Sequence, residues 1–151
     1  MATVTLAIIA KDEYEHLRRI LTDYSKYFDA IQIAIDCPSE ELAREFPTAE
    51  FFPYKWIEDF SDKRNFLASK CNTEYYYTID TDDAICYPQL VKKVADEAQS
   101  KDLNVVYGYY VYSVDQDGNP NAAHWKERLI RNNGRLRWNK KIHECILPRV
   151  L

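Results

Sequence analysis

Three carboxylates fall within the four residues Asp80-Thr81-Asp82-Asp83, directly after the aromatic run Tyr75–Ile79. Like charges this close repel, and burial raises the pKa of each carboxyl. A divalent cation relieves both costs, and an all-oxygen ligand set suits Mg2+ or Mn2+. Such an ion bridges phosphates and stabilises a leaving diphosphate. The plainer alternative is a solvated turn in which Asp83 caps a short helix. A second group stands near the C-terminus, where His143-Glu144 follows Trp138 and a basic stretch from Lys126 to Lys141. Imidazole ligates metals, and a carboxylate beside it can take a proton from a hydroxyl. Asp12 and Asp36 each follow an apolar run, although Asp36 also suits a turn ahead of Pro38. Arg64 and Asn65 lie inside a polar helical stretch and read, by themselves, as surface residues.

The elements that must position these groups alternate. Val4–Ala10 reads as a buried strand, and Asp12 is placed to cap the helix after it, whose apolar face is Leu17, Ile20, Leu21, Tyr24 and Phe28. Ile31–Ile35 is a second buried strand. Pro38-Ser39 opens a short helix over Glu40–Glu45. Glu50–Tyr54 is a third strand, and Pro53 within it indicates a sheet edge. Ser61 is expected to cap a helix over Asp62–Lys70. Tyr75–Ile79 is a strand that stops at the acidic cluster. Pro88 fits the first turn of a helix over Gln89–Gln99, with Leu90, Val91, Val94 and Ala95 turned inward. Val105–Val114 is a long Tyr-rich strand, followed by a turn at Asp117–Pro120. Glu127–Arg131 and Leu136–Trp138 are expected to form a hairpin around Asn132-Asn133-Gly134. The order β-α-β-α-β-α-β predicts an α/β fold: a mostly parallel sheet with helices on both faces and a small antiparallel C-terminal piece. Ligands of such sheets sit outside the carboxyl ends of the strands, where Asp12, Asp36 and Asp80–Asp83 all fall.

Composition narrows the classes. The 151 residues include only three glycines, so no GxGxxG fingerprint and no GxxxxGK[ST] loop is present. A nucleotide must therefore be held by carboxylates, a cation and side chains. The net charge of -4 does not favour nucleic acid as a partner. The four cysteines form no CxxC pair, which argues against zinc, and the short apolar N-terminus has neither the length of a membrane span nor a basic leader. The expectation is a cytoplasmic protein with free thiols and no transmembrane segment. Core packing is the expected role of each of Trp56, Trp125 and Trp138, with sugar stacking the alternative.

Four blocks in order resemble family 2 glycosyltransferases of the GT-A fold. Ile8-Ile9-Ala10-Lys11-Asp12-Glu13 is similar to the family's opening strand and K-N-E turn, with Asp12 in place of the Asn. Asp59-Phe60-Ser61-Asp62-Lys63-Arg64-Asn65-Phe66 is similar to the D-F-S-x-x-R-N-x segment, and Tyr77–Asp83 to the strand that ends in D-x-D-D. Arg128-Leu129-Ile130-Arg131-Asn132 with Trp138 to His143-Glu144 resembles the ending of a subgroup that includes lipopolysaccharide-core-type glucosyltransferases, with Lys140 where that subgroup commonly has Gly. The resemblance implies sugar transfer from a nucleotide-diphosphate donor to a glycan or other hydroxyl acceptor, with inversion at the anomeric carbon. It implies that Asp36 meets the base or ribose, with Asp12 beside the nucleotide, and that Arg64 positions the nucleotide. It puts Asp80 at the ribose or a metal-bound water, Asp82 and His143 at Mn2+ or Mg2+, and Glu144 in the role of general base.

Residues 1–151 are expected to form one glycosyltransferase domain, compact or C-terminally truncated, because the chain ends seven residues after Glu144 while relatives continue into acceptor-binding segments. The competing expectation is a non-catalytic nucleotide- or glycan-binding module of the same fold. A sugar-1-phosphate nucleotidyltransferase would need a Gly-rich N-terminal loop, and a two-metal nuclease a basic groove. The Tyr-rich strand faces make a homodimer a further expectation.

Overall fold

The computed structural model describes residues 1–148. Strand β1 (Val4–Ala10) is buried in every residue, as a central parallel strand of apolar and β-branched residues must be. Helix α1 (Tyr14–Tyr24), β2 (Ala30–Ile35), α2 (Glu40–Glu45), β3 (Ala49–Pro53), α3 (Phe60–Ala68) and β4 (Tyr75–Asp80) follow. The first four strands are parallel, and β3 with its proline is an edge. A 3-10 turn at Pro88–Leu90 leads into α4 (Val91–Ser100). The hairpin of β5 (Val105–Val114) and β6 (Pro120–Arg131) then joins β4 through β6, antiparallel. The sheet order is β3-β2-β1-β4-β6-β5, and β7 (Leu136–Asn139) pairs with β8 (Cys145–Pro148) in a separate two-stranded sheet. Among the described residues no helix is long and apolar enough to cross a membrane.

Alternation along β1 sorts the layers. Leu6, Ile8 and Ala10 face α1 and α2 through Leu17, Ile20, Leu21 and Leu42. Ala7 and Ile9 point the other way, into a core closed by Leu67 of α3, Trp138 of β7 and Ile146 of β8. Val4 and Tyr75 pack on Val91, Ala95 and Ala98 of α4. The chain runs β1, β2, β3 outward and then returns to β4 on the other side of β1. The point where strand order reverses therefore lies between the carboxyl ends of β1 and β4.

Several local expectations are corrected. Asp12 does not cap α1: Glu13 precedes the helix, and its carboxylate accepts the N–H groups of Lys11 (2.7 Å) and Asp12 (2.8 Å) upstream. Ser61 does not cap α3, which begins earlier: Asp59 has extended backbone, and its carboxylate accepts from the Asp62 N–H at 3.0 Å. Ser61 is buried and donates to the Lys140 carbonyl, while the Phe60 N–H donates to the Lys141 carbonyl at 3.0 Å. The start of α3 thus anchors a segment far along the chain. Leu90 and Val94 are exposed at 46% and 39%, because the register of α4 buries Val91, Ala95 and Ala98 instead. Trp138 is core, but Trp125 is 65% exposed on the outer part of the β5–β6 hairpin, beyond the reach of β4, and Trp56 is 39% exposed.

The expected pairing of Glu127–Arg131 with Leu136–Trp138 does not form. The edge of β6 is taken by β4 and β5. Gly134, at φ +74, instead turns the chain toward the α3 face, and the Asn132 amide fastens that turn to the carbonyls of Cys71 (2.8 Å) and Thr73 (3.0 Å). The strand β7 is then held by Asn65 of α3. Its amide donates to the Trp138 carbonyl and accepts from the Trp138 N–H, each at 2.9 Å, so one side chain imitates a strand neighbour. Asn65→Ala removes both bonds and leaves partners inside the protein. The expected cost is about 2 kcal/mol, a fall of about 4–8 °C in Tm for a domain of this size. Asn65→Asp, which keeps only the acceptor, should fall between. Calorimetry showing wild-type Tm for Asn65→Ala would contradict the role of the clamp.

Candidate functional site

The polar cluster at the carboxyl end of β4, beside the reversal point, is built around Arg64. This residue is 5% exposed, on the face of α3 turned to the sheet. Its Nη1 donates to Thr78 Oγ1 (2.8 Å), Nη2 to Asp80 Oδ1 (2.7 Å) and Nε to Glu144 Oε1 (2.8 Å). The guanidinium lies 5.2 Å from the centre of the Trp138 ring, whose indole N–H donates to the Tyr76 hydroxyl at 3.1 Å. Burial disfavours its charge, but the Asp80 and Glu144 carboxylates outweigh that and raise its pKa. Asp80 and Glu144, 64 positions apart in sequence (144 less 80), thus meet on one cation.

Asp80 itself corrects an expectation. Burial alone pushes its carboxyl up, yet Arg64, Lys126 (Nζ to Oδ2, 3.6 Å) and Arg128 together hold it below the ordinary value of 3.8. The crowding of acids is relieved by protein cations before any metal is considered. Asp83 is equally engaged. One oxygen accepts from the Asp80 N–H (2.8 Å) and Arg128 Nη1 (3.1 Å), and the other from the Tyr110 hydroxyl (3.0 Å). Burial, with Asp83 next in line, pushes the Tyr110 hydroxyl up to about 12. Arg19 of α1 donates to the carbonyls of Thr81 (3.3 Å) and Asp83 (2.9 Å), so the loop's backbone is held from beneath. Gly108 makes room for Arg128: a Cβ there would stand 2.8 Å from the arginine Cγ.

The remaining expected residues lie around this centre. Asp36, at the end of β2, accepts an ion pair from the buried Lys63 Nζ, which also donates to the Ala10 carbonyl at the end of β1. The same ammonium sits 5.4 Å from the Tyr54 ring centre and 5.8 Å from that of Trp56. Asp12, Asp82 and His143 are exposed. Lys140 takes φ +76 and His143 φ +53. Lys140 thus adopts, without being glycine, the left-handed backbone that glycine favours, at a cost of roughly 1–2 kcal/mol. Its carbonyl is the one tied down by Ser61.

Asp80, Asp82 and Asp83 can bring one oxygen each within 4.8 Å of one another, and among the described residues His143 is not in that group. The donor set is all oxygen, which fits Mg2+ or Mn2+. With Asp80 and Asp83 committed to cations and backbone, Asp82 is the carboxylate left facing solvent. A Mg2+ ion held by one or two carboxylates, substrate phosphates and water needs no more. Beside Asp82 opens a cavity of about 900 Å3 between the start of α4 and β5, walled largely by apolar and tyrosine side chains such as Tyr87, Leu90, Tyr107 and Val111.

Lys63, Arg19 and Arg128 have no site role assigned from the sequence, and Lys126 enters there only as the start of a basic stretch. Lys126 and Arg128 stand two apart on β6 and therefore share a sheet face, which was a legible signal. Nothing in the local pattern of α1 or α3 marks Arg19 or Lys63, whose partners are 62 and 27 positions away.

The profile of glycosyl transferase family 2 matches residues 5–150, and the chain belongs to that family. The chain is 26% identical over 149 residues to the glycosyltransferase SunS of Bacillus subtilis strain 168, covering 94% of this chain and 34% of SunS. It is 25% identical over 150 residues to a TPR repeat-containing protein of Synechococcus elongatus, covering 97% and 36%. The chain spans about a third of the length of these curated relatives. Among solved structures, CMP:2-keto-3-deoxy-manno-octonic acid synthetase complexed with CTP aligns at TM-score 0.56 and 10% identity, over 87% of this chain and 75% of that one. S. aureus TarS 1-349 in complex with UDP aligns at TM-score 0.52 and 15% identity, over 79% and 38%. At these identities the likeness is one of fold, the GT-A arrangement of nucleotide-diphospho-sugar transferases.

The lowered Asp80 pKa carries a sign for stability. Its ion pairing stabilises the fold fully above the unfolded value of 3.8 and is lost as pH falls through the folded value. In Asp80→Asn, Tm should therefore decline less than in wild type between about pH 5 and pH 3. Parallel declines would contradict the pairing.

Proposed function

We propose that the chain moves a sugar from a nucleotide-diphosphate donor to an acceptor hydroxyl, in one displacement that inverts the anomeric carbon. The observation that carries this reading is the joining of Asp80 and Glu144 on the Arg64 guanidinium, 2.7 and 2.8 Å away, which sets an acid of the β4 end and a half-buried carboxylate side by side. Asp36, with Asp12 beside it, takes the nucleoside side, and Asp80 the ribose. Asp82 is the residue to hold Mn2+ or Mg2+, with His143 completing that ion's surroundings or meeting the diphosphate. When bound, the ion offsets negative charge on the departing diphosphate. Glu144 accepts the proton of the acceptor hydroxyl as that hydroxyl's oxygen bonds to the anomeric carbon. The bond from that carbon to the diphosphate oxygen breaks, and the nucleoside diphosphate leaves.

Membership of family 2 supports the reaction class, and the uridine nucleotide bound by the TarS neighbour makes UDP the first probe. UDP with Mn2+ at a hundredfold over Kd should stabilise the protein by about 2.7 kcal/mol, a rise of roughly 5 °C or more. EDTA or Asp82→Ala should abolish it. Glu144→Gln should keep this thermal shift while lowering kcat for transfer by about 10²–10⁴. Absence of any shift across common nucleotide-diphosphate donors with metal would contradict the proposal, and undiminished transfer by Glu144→Gln would contradict its assignment of the base.

A further inference from the structure

We propose that Arg64 is a positioning residue, which sets Asp80 and Glu144 through one guanidinium and does not touch the nucleotide. This rests on the reading of Asp80 as a donor-side group and Glu144 as the base. The nitrogens Nε, Nη1 and Nη2 each donate to a protein oxygen, at 2.8, 2.8 and 2.7 Å. Nε and Nη2 form the edge with which an arginine ordinarily grips a single carboxylate by two parallel bonds. Here that edge is divided between two carboxylates, which fixes their spacing to the width of the fork. The ring of Trp138 covers the guanidinium at 5.2 Å, and Asn65 pins the Trp138 backbone on both N–H and C=O. At 5% exposure, the cation has its direction set from all sides. A nucleotide approaching the β4 end meets Asp80, which is 35% exposed, before it meets Arg64.

Glu144 needs such a device. It is carried on the chain segment between β7 and β8, and the residue before it, His143, has left-handed backbone. No sheet partner fixes a side chain there, so its aim depends on the bond it makes. A lysine at position 64 presents one compact ammonium instead of a fork and serves one carboxylate at a time.

Two double-mutant cycles test the proposal. The first reads kcat for R64Q, E144Q and the double variant. The second reads UDP affinity by calorimetry, with Mn2+, for R64Q, D80N and the double variant. If Arg64 acts through its two carboxylates, R64Q lowers kcat by about 100-fold or more, yet R64Q/E144Q stays within about twofold of E144Q alone. Likewise, R64Q/D80N binds UDP within about twofold of D80N alone. R64K should fold cooperatively and still lose about tenfold or more in kcat. Should R64Q fail to fold, R64K is carried through both cycles. Losses that multiply would overturn the proposal, because in the kcat cycle they mean that Arg64 does not act through Glu144, and in the UDP cycle that it meets the nucleotide on its own account. Wild-type turnover by E144Q would remove the base assignment alone. The UDP cycle would then decide whether Arg64 acts through Asp80.

Discussion

A guanidinium buried between a sheet and a helix must find acceptors, because an unpaired charge there costs several kcal/mol. Arg64 finds them in three places: Thr78 and Asp80 along β4, and Glu144 beyond β7. The requirement ties together parts of the chain that the sheet alone leaves separate. The C-terminal segment is drawn onto the reversal point, and the two-stranded sheet β7-β8 covers α3 while supplying the tryptophan that roofs the cation. Asn65, the next residue of the helix, secures that roof through the main chain of Trp138. The Arg-Asn pair of the D-F-S-x-x-R-N segment thus has one physical job divided between two side chains: the arginine matches charge, and the asparagine holds the strand that encloses it.

The same economy governs the acidic loop. Three aspartates in four residues would repel, yet Arg64 and Lys126 face Asp80, Arg128 faces Asp83, and Arg19 takes two carbonyls of the loop. The loop is shaped by protein cations, and Asp82 is left exposed to solvent. Glycine has almost no part in this. Of the three in the chain, Gly108 gives way to Arg128 and Gly134 turns the backbone toward β7. The proposed nucleotide site relies on side-chain charge and has no need of a glycine cradle, which agrees with the low glycine content.

The strands, their parallel order and the edge at Pro53 were legible because burial writes apolar runs and proline writes edges. The acidic end of β4 and the Arg64 and Glu144 blocks were legible as types in order. Their joining was not, since nothing in local pattern states that residues 64 and 144 touch. Caps were misread for a related reason: Ser61 has the chemistry of a cap, but its hydroxyl is spent on Lys140, and Asp59 does the capping. The Asn-Asn-Gly turn was read as a hairpin because the residues permit one. Competition decided otherwise, for the neighbouring edges of β6 were already occupied by β4 and β5. Propensity names what a residue can do, and long-range partners choose among those options.

In the proposed reaction a single carboxylate, Glu144, serves a single displacement at the anomeric carbon. The most direct measurement is the anomeric configuration of the first-formed glycoside, read by NMR from a donor of known configuration. One displacement predicts the configuration opposite to that of the donor sugar. A retained configuration would contradict the account, because it requires a second displacement or a front-face departure that the Glu144 arrangement does not provide.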